Sequence, residues 1–152
     1  ESMSNKVTAL KNKPAARSKA RRFVLQALYQ IQLTDCSTSE VEKQFLQDHD
    51  MKRVDIEYLH EVLTGISTNR EELAKRIAPK LDRQFEELDP VESAALYIGS
   101  FELLHRVDIP YRVAINEGVE LAKQFGAAES HKLVNSVLDG LAQDHRSAEY
   151  KR

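Results

Sequence analysis

The sequence predicts an all-α fold, a single domain of about six to seven helices. The 152 residues include only five Gly and four Pro, and the alternation of β-branched residues that marks strands is almost absent. Apolar residues make up 41% of the chain and charged residues 30%, which is typical of a globular domain with a sizeable core.

The first helix is predicted from about Ala16 to Leu33. At 100° per residue, one side of this helix is apolar and gathers Ala20, Val24, Ala27 and Ile31. The opposite side gathers Ser18, Lys19, Arg22, Gln26 and Tyr29, with Leu25 and Leu33 among them. Two interpretations of Tyr29 remain open: it is exposed beside the charges, or it is buried with the leucines because the helix is central.

Two further helices are predicted before residue 80. Ser39 with Glu42 has the spacing of a capping box and begins a short helix to about Leu46. Apolar spacings of three, four and seven then predict one long helix from about Val54 to Ala78.

Three helices are predicted in the second half of the chain. Asp89, Pro90 and Glu92 form a strong start signal for a helix that ends near His105. The next helix is predicted from about Arg112 to Phe125, ended by Gly126, and the last begins with Ser130 as its cap. The resulting organisation is a flexible basic extension (residues 1–13, of which 1–2 resemble a cloning remnant), a helical domain (residues 14–145) and a polar, fraying tail (residues 146–152).

Charge is distributed unevenly along the chain. Residues 1–22 carry seven Lys or Arg and a single carboxylate, whereas the remainder carries 15 Lys or Arg and 23 Asp or Glu. The basic run KPAARSKARRF at residues 13–23 merges into the first helix, so its charges are attached to a folded element. Two interpretations of the run remain open: it is an ordinary basic tail, or it is a group of cations that binds phosphate.

Catalytic and metal signatures are missing from the sequence. Neither a G-x-G-x-x-G nor a G-x-x-x-x-G-K-[ST] motif occurs, and His60-Glu61 begins an H-E-x-x-H pattern that Thr64 fails to complete. We therefore expect no enzyme activity, no metal and no cofactor. The lone Cys36, the lack of a secretory signal pattern and the lack of a long apolar run suggest a cytoplasmic protein.

Nucleic-acid binding agrees better with the residues. Lys and Arg neutralise phosphates, an aromatic ring stacks on an unpaired base, and Gln hydrogen-bonds to base edges. The predicted face of the first helix offers all three types of side chain.

The second half of the chain resembles a known family. Residues 109–141, IPYRVAINEGVELAKQFGAAESHKLVNSVLDGL, resemble the signature of the NusB transcription antitermination factors, roughly VP-x-x-VAINEA-x-ELAK-x-F followed by S-x-x-FVNGVLD. The family's amino-terminal A-x-R-x-x-A…ALY pattern is matched between Ala15 and Tyr29, and the resemblance covers about residues 13–143. Departures are Gly118 for the usual Ala, Leu133 for Phe and Ser136 for Gly.

The resemblance implies two helical subdomains and a role without catalysis. It implies binding of the single-stranded boxA element of ribosomal RNA leader transcripts, jointly with the ribosomal protein NusE, in an RNA polymerase antitermination complex. The module is also similar to the front domain of ribosomal RNA cytosine methyltransferases, but no residues remain here for a methyl-donor domain. A protein-binding adaptor without RNA contact and a methyltransferase-related RNA-binding module are the alternatives.

Combining residues and resemblance gives a site hypothesis in three parts. The cations expected on the RNA backbone are Lys13, Arg17, Lys19, Arg21 and Arg22. Base contacts are expected from Gln26, Tyr29 and Gln32. A second contribution is expected at the start of the last helix, from Ser130, His131, Lys132 and Asn135. The surface expected to meet the basic ribosomal protein contains Glu86, Glu87 and Glu92. The alternatives are that Asn116 and Asn135 only serve helix packing, and that the acidic residues are a plain solvated face.

Overall fold

The structure, a computed structural model, describes residues 9–151, and the prediction of an all-α fold is confirmed over this range. Eight α-helices have defined bounds among these residues: α1 (Pro14–Leu33), α2 (Thr38–Asp48), α3 (Ile56–Thr68), α4 (Arg70–Ile77), α5 (Pro90–His105), α6 (Tyr111–Phe125), α7 (Ser130–His145) and α8 (Ser147–Tyr150). Two short 3₁₀ helices span Ala78–Lys80 and Phe85–Glu87. Most of the predicted flexible extension, residues 1–8, lies outside the described residues.

The chain divides into two compact units, as the resemblance implied. The N-terminal unit is residues 1–67 and contains α1, α2 and nearly all of α3. The C-terminal unit is residues 68–152 and contains α4 to α8. Across the part of the chain that the structure describes, no helix is long and apolar enough to cross a membrane.

The N-terminal unit is built on the predicted apolar side of α1. Ala20, Val24 and Ala27 are buried there, and they are joined by residues of α2 and α3 that repeat at helical spacing. The bounds of α2 differ from the prediction, because Ser37 and not Ser39 caps the helix: its Oγ accepts a hydrogen bond from the Glu40 N–H at 3.2 Å.

The predicted long helix over residues 54–78 is wrong in one respect, because it is broken into α3 and α4 at Asn69. This residue has φ −107° and ψ 18°, outside the helical region. Asn favours such breaks because its side chain competes for the helical backbone hydrogen bonds. The apolar repeat continues on both sides of Asn69, and periodicity alone therefore does not register the break.

The C-terminal unit surrounds α5, whose residues 93–103 are all buried. The predicted capping box at its start is confirmed: the Glu92 N–H donates to Asp89 Oδ1 at 2.8 Å, and the Asp89 N–H donates to Glu92 Oε1 at 3.2 Å. Helices α6 and α7 pack against α5 and against each other. Gly126 ends α6 as predicted.

The predicted cap of α7 is wrong. Glu129 occupies the capping position, and Ser130 is the first helical residue. The Ser130 hydroxyl instead donates a hydrogen bond to Glu92 Oε2 at 2.9 Å, which ties the starts of α5 and α7 together.

Two glycines allow α5, α6 and α7 to approach closely. A Cβ atom added at Gly99 would lie 2.5 Å from Leu138 Cδ1, and one added at Gly118 would lie 2.7 Å from the same methyl group. Leu138 is completely buried, and its methyl groups therefore occupy the space that both glycines leave. Gly118 thus serves close packing of α6 against Leu138.

Replacing Gly99 by Ala is expected to lower the free energy of unfolding by about 1 kcal/mol. Overpacking against Leu138 destabilises the fold by roughly 1–3 kcal/mol. The higher helix propensity of Ala offsets about 1 kcal/mol of this loss. Urea denaturation followed by circular dichroism measures the change.

Gly140→Ala is the matched control for that substitution. The three atoms nearest to a Cβ at Gly140 would all belong to the flexible side chain of Lys80, with Cδ at 3.1 Å. The same chemical change is therefore expected to leave stability unchanged or raise it by up to about 1 kcal/mol. Equal losses in both variants would show that Leu138 does not restrict Gly99.

Arg146, the first residue after α7, makes an extensive set of hydrogen bonds. Arg146 is only 7% exposed, and all five of its N–H groups have acceptors. Nε donates to the Leu103 carbonyl at 2.9 Å, Nη2 donates to the carbonyls of residues 102 and 106, and Nη1 donates to the Ile109 carbonyl and to Glu149 Oε1. Arg146 therefore closes the C-terminal end of α5, where it donates to the carbonyl of Leu103 in the last helical turn and adds a second donor to that of Glu102.

The last described helix, α8, is fixed by contacts on the same unit. Glu149 Oε2 accepts a hydrogen bond from the Tyr111 N–H at 2.9 Å, at the start of α6. The Tyr150 ring lies 5.2 Å from the Tyr111 ring, and its hydroxyl donates to Asp139, which raises the pKa of Tyr150 above its usual value. Residues 146–150 thus form a cap on the end of α5 and the start of α6.

Candidate nucleic-acid interface

The outward side of α1 carries the residues that the sequence analysis placed there. Lys19, Arg22 and Gln26 are half-buried, and Tyr29 is 40% exposed. The alternative in which Tyr29 belongs to the core is therefore wrong, although Leu25 on the same side is buried. Leu33 continues the row at the end of the helix with 62% exposure, and we call these five residues — Lys19, Arg22, Gln26, Tyr29 and Leu33 — the α1 stripe.

The α1 stripe changes character along the helix. Its first two residues are cationic, its middle residue is an amide, and its last two present an aromatic ring and an aliphatic side chain. With this order of side chains, the stripe can bind a phosphate backbone near the start of the helix and unpaired bases along the rest of it.

Two of the predicted cations have a different environment. The guanidinium carbons of Arg17 and Arg21 lie 4.4 Å and 5.3 Å from the centre of the Tyr58 ring, within cation–π distance. Arg21 is only 3% exposed, and the interpretation of Arg21 as a direct phosphate contact does not agree with this burial. Its guanidinium is instead part of the packing between α1 and α3.

Arg17 is half-buried and connects to the segment before α1. Its Nη2 donates to Asn12 Oδ1 at 2.6 Å, and its Nε lies 3.8 Å from Asp55 Oδ2. Lys13 immediately precedes α1 and is exposed. Gln32, near the end of the helix, is also exposed. The first turn of α1 contains no acidic residue, so the potential there is positive.

The second predicted contribution lies in the C-terminal unit, at the start of α7. Ser130 is buried at 2% exposure and its hydroxyl donates to Glu92, so it is not available to a ligand in this structure. His131 is half-buried, and Lys132 is exposed and paired with Glu129 at 2.9 Å. Asn135 is exposed, as is Asn116 on α6, so neither amide lies inside the helix packing.

The three acidic residues predicted to meet a basic protein differ in their availability. Glu86 is exposed on a 3₁₀ helix. Glu87 is also exposed, but its Oε2 accepts a hydrogen bond from the Gln84 N–H at 3.1 Å. Glu92 is half-buried and uses both carboxylate oxygens within the fold, so it acts mainly as a cap.

Sequence reasoning missed three residues that shape the interface. Asn12, Asp55 and Tyr58 hold the first two arginines of the basic run in place. Asp55 stands directly before the apolar repeat of α3, a signal that could have identified it as a helix cap. No local signal connects Tyr58 with α1, because that contact joins residues distant in sequence.

Comparison with known proteins finds relatives over most of the chain. The sequence model of the NusB family matches residues 18–143. The transcription antitermination protein NusB of Alcanivorax borkumensis is 54% identical over 136 residues, covering 90% of this chain and 91% of that protein. The protein of the same name from Yersinia enterocolitica is 55% identical over 130 residues, covering 86% of this chain and 94% of that protein.

A solved structure supports the fold as well. The T. maritima NusB structure is similar with a TM-score of 0.76 and 26% sequence identity, and the match covers 93% of this chain and 99% of that one. The similarity therefore extends over both helical units.

Proposed function

The chain belongs to the NusB family, and we propose that it acts in transcription antitermination by binding the single-stranded boxA element of ribosomal RNA leader transcripts together with the ribosomal protein NusE. The protein contributes binding and positioning within an RNA polymerase antitermination complex, not catalysis. The observation that carries this proposal is the partly exposed α1 stripe, which combines cations, an amide and an aromatic ring on one helix face.

The RNA backbone is assigned to the cations at the start of α1. Lys13, Lys19 and Arg22 are accessible in the structure, whereas Arg21 supports the site from inside the packing. Phosphate contacts release condensed counterions, and the affinity for RNA therefore depends on salt. Gln26 and Gln32 are assigned to base edges, and Tyr29 is assigned to base stacking.

NusE is assigned to the acidic part of the chain. Glu86 and Glu87 are exposed next to each other, and a basic ribosomal protein complements such a surface electrostatically. The exposed residues Lys132 and Asn135, with the half-buried His131, remain assigned to a second RNA contribution in the C-terminal unit.

Replacing Lys19 and Arg22 together by Ala is expected to flatten the salt dependence of RNA binding. Each phosphate contact to a single strand contributes about −0.7 to the slope of log affinity against log salt, so losing two contacts changes the slope by about 1.4. Fluorescence anisotropy of a labelled boxA RNA at several salt concentrations measures the slope.

Lys43→Ala is the control, because Lys43 is exposed on α2 of the same unit and lies outside the α1 stripe. It is expected to leave the slope unchanged. Repeating the titration with NusE tests the joint binding, since a gain in affinity measures their coupling. Absence of RNA binding by the wild-type protein, with NusE binding retained, would instead favour the protein-binding adaptor.

A further inference from the structure

We propose that Asn12 and Asp55 are positioning residues that hold Lys13 in place for the RNA backbone, an inference that rests on the proposed function. Nothing in the family signature or in the basic run points to these two residues. Their contacts join the segment before α1 to the start of α3, within the N-terminal unit.

Asn12 forms a turn that only a few residue types adopt easily. Its φ is +66°, in the left-handed region where Asn is enriched and β-branched residues are strongly disfavoured. Its backbone N–H donates to Asp55 Oδ2 at 2.9 Å, and its side-chain Oδ1 accepts a hydrogen bond from Arg17 Nη2. Both the backbone and the side chain of Asn12 are thus tied to the folded unit.

Asp55 is a rigid anchor for this turn. It is only 3% exposed, and its Oδ1 accepts the Tyr58 N–H at 3.1 Å, which caps α3. Its own backbone N–H donates to the Ala16 carbonyl of α1 at 3.1 Å. Because Asp55 is fixed from both helices, the oxygen that it offers to Asn12 has a defined position.

Lys13 lies between this turn and α1, so the turn fixes the backbone position of Lys13. The Lys13 N–H donates to the Leu10 carbonyl at 3.2 Å, which closes the turn around Asn12. Lys11, on the other side of Asn12, pairs with Glu57 of α3 at 3.3 Å. The backbone of this segment is therefore ordered before any ligand binds, and a cation held in this way binds phosphate with a smaller loss of conformational entropy.

Two substitutions at Asn12 separate the turn from the side chain. Asn12→Gly removes the amide but keeps the left-handed backbone and the N–H that Asp55 accepts. Asn12→Val removes the same amide and disfavours the left-handed backbone. Neither substitution alters the Asp55 cap on α3, so both variants are expected to remain folded, which thermal denaturation verifies.

The expected result is a difference between the two variants in boxA RNA titrations with the full chain. Asn12→Gly should remain within about twofold of the wild-type affinity, whereas Asn12→Val should bind roughly three- to tenfold more weakly. The salt slope of Asn12→Val should also be smaller by about 0.7, the contribution of one phosphate contact.

Lys13→Ala then tests whether the turn acts through Lys13. This substitution should weaken binding in the wild-type and Asn12→Gly backgrounds and have little further effect in Asn12→Val, as expected for coupled residues. Equal affinities of the Gly and Val variants, or additive effects with Lys13→Ala, would overturn the positioning role. These results leave the proposed function intact, because the wild-type protein still binds RNA in a salt-dependent manner.

Hydrogen exchange of the backbone N–H at residue 12 provides a measurement that does not depend on RNA. Protection should persist in Asn12→Gly and decrease in Asn12→Val, because the hydrogen bond to Asp55 depends on the left-handed turn. Retained protection in the Val variant would contradict the anchoring. Absence of RNA binding by the wild-type protein would remove the proposed function and the positioning role together.

Discussion

Replacing Arg146 by Met is expected to lower the free energy of unfolding by about 3 kcal/mol or more. Met retains much of the aliphatic volume but donates no hydrogen bond, so four backbone carbonyls between residues 102 and 109 lose the Arg146 donors. The carbonyls of Glu102 and Arg106 keep the N–H groups of Arg106 and Ile109 as donors, but those of Leu103 and Ile109 lose theirs. Each unsatisfied buried polar group costs roughly 1–3 kcal/mol. Glu149 also loses its partner at 2.8 Å.

Urea denaturation measures this loss, and hydrogen exchange locates it. The last turn of α5 should exchange faster in the Arg146→Met variant, because its carbonyls are no longer closed by the guanidinium. Arg146→Lys should retain part of the stability, since an ammonium has three donors and cannot reproduce the planar five-donor arrangement.

Lys151→Met is the control for the loss of a positive charge near the same end of the chain. Lys151 is exposed, and its replacement is expected to change stability by no more than about 0.5 kcal/mol. A similarly small effect of Arg146→Met would contradict the capping role of Arg146.

Replacing Tyr29 by Ala is expected to weaken boxA RNA binding by about 2 kcal/mol, or roughly 30-fold. Stacking of a base on an aromatic side chain contributes about 1–3 kcal/mol by alanine substitution. Tyr29 is 40% exposed on the α1 stripe, so its truncation removes a surface ring and leaves the core of the unit unchanged.

Tyr29→Phe separates stacking from hydrogen bonding by the hydroxyl. If the ring stacks on a base, Phe should retain most of the affinity, and the salt slope of both variants should match that of the wild type, because no phosphate contact is lost. Fluorescence anisotropy of labelled boxA RNA at several salt concentrations measures both the affinity and the slope. Wild-type affinity in Tyr29→Ala would remove Tyr29 from the interface.

Much of the fold follows from local sequence signals. The Asp89–Glu92 capping box, the end of α6 at Gly126 and the buried side of α1 were all predicted, because each depends on residues within a few positions of one another. Helix boundaries with competing local signals were less accurate: Ser37 replaced Ser39 as a cap, and Asn69 divided a continuous apolar repeat.

The environment of the cations was harder to predict from the sequence. Helical periodicity placed the basic run on α1, but it could not show that Tyr58 covers Arg21 or that Asp55 reaches Arg17. These contacts join residues far apart in sequence, and no local pattern encodes them. The same reason explains why Arg146 was interpreted as part of a polar tail, since its acceptors are carbonyls, which every residue carries.

Arg146 also affects the order in which the C-terminal unit gains stability. A ribosome makes residues 102 to 109 well before residue 146, so the carbonyls of Leu103 and Ile109 must remain hydrated until the arginine is available. The three central helices can associate through their apolar sides without Arg146, but the end of α5 is closed only after residue 146 has left the ribosome. A chain truncated just before residue 146 would therefore have a loose end of α5 that is accessible to chaperones and proteases.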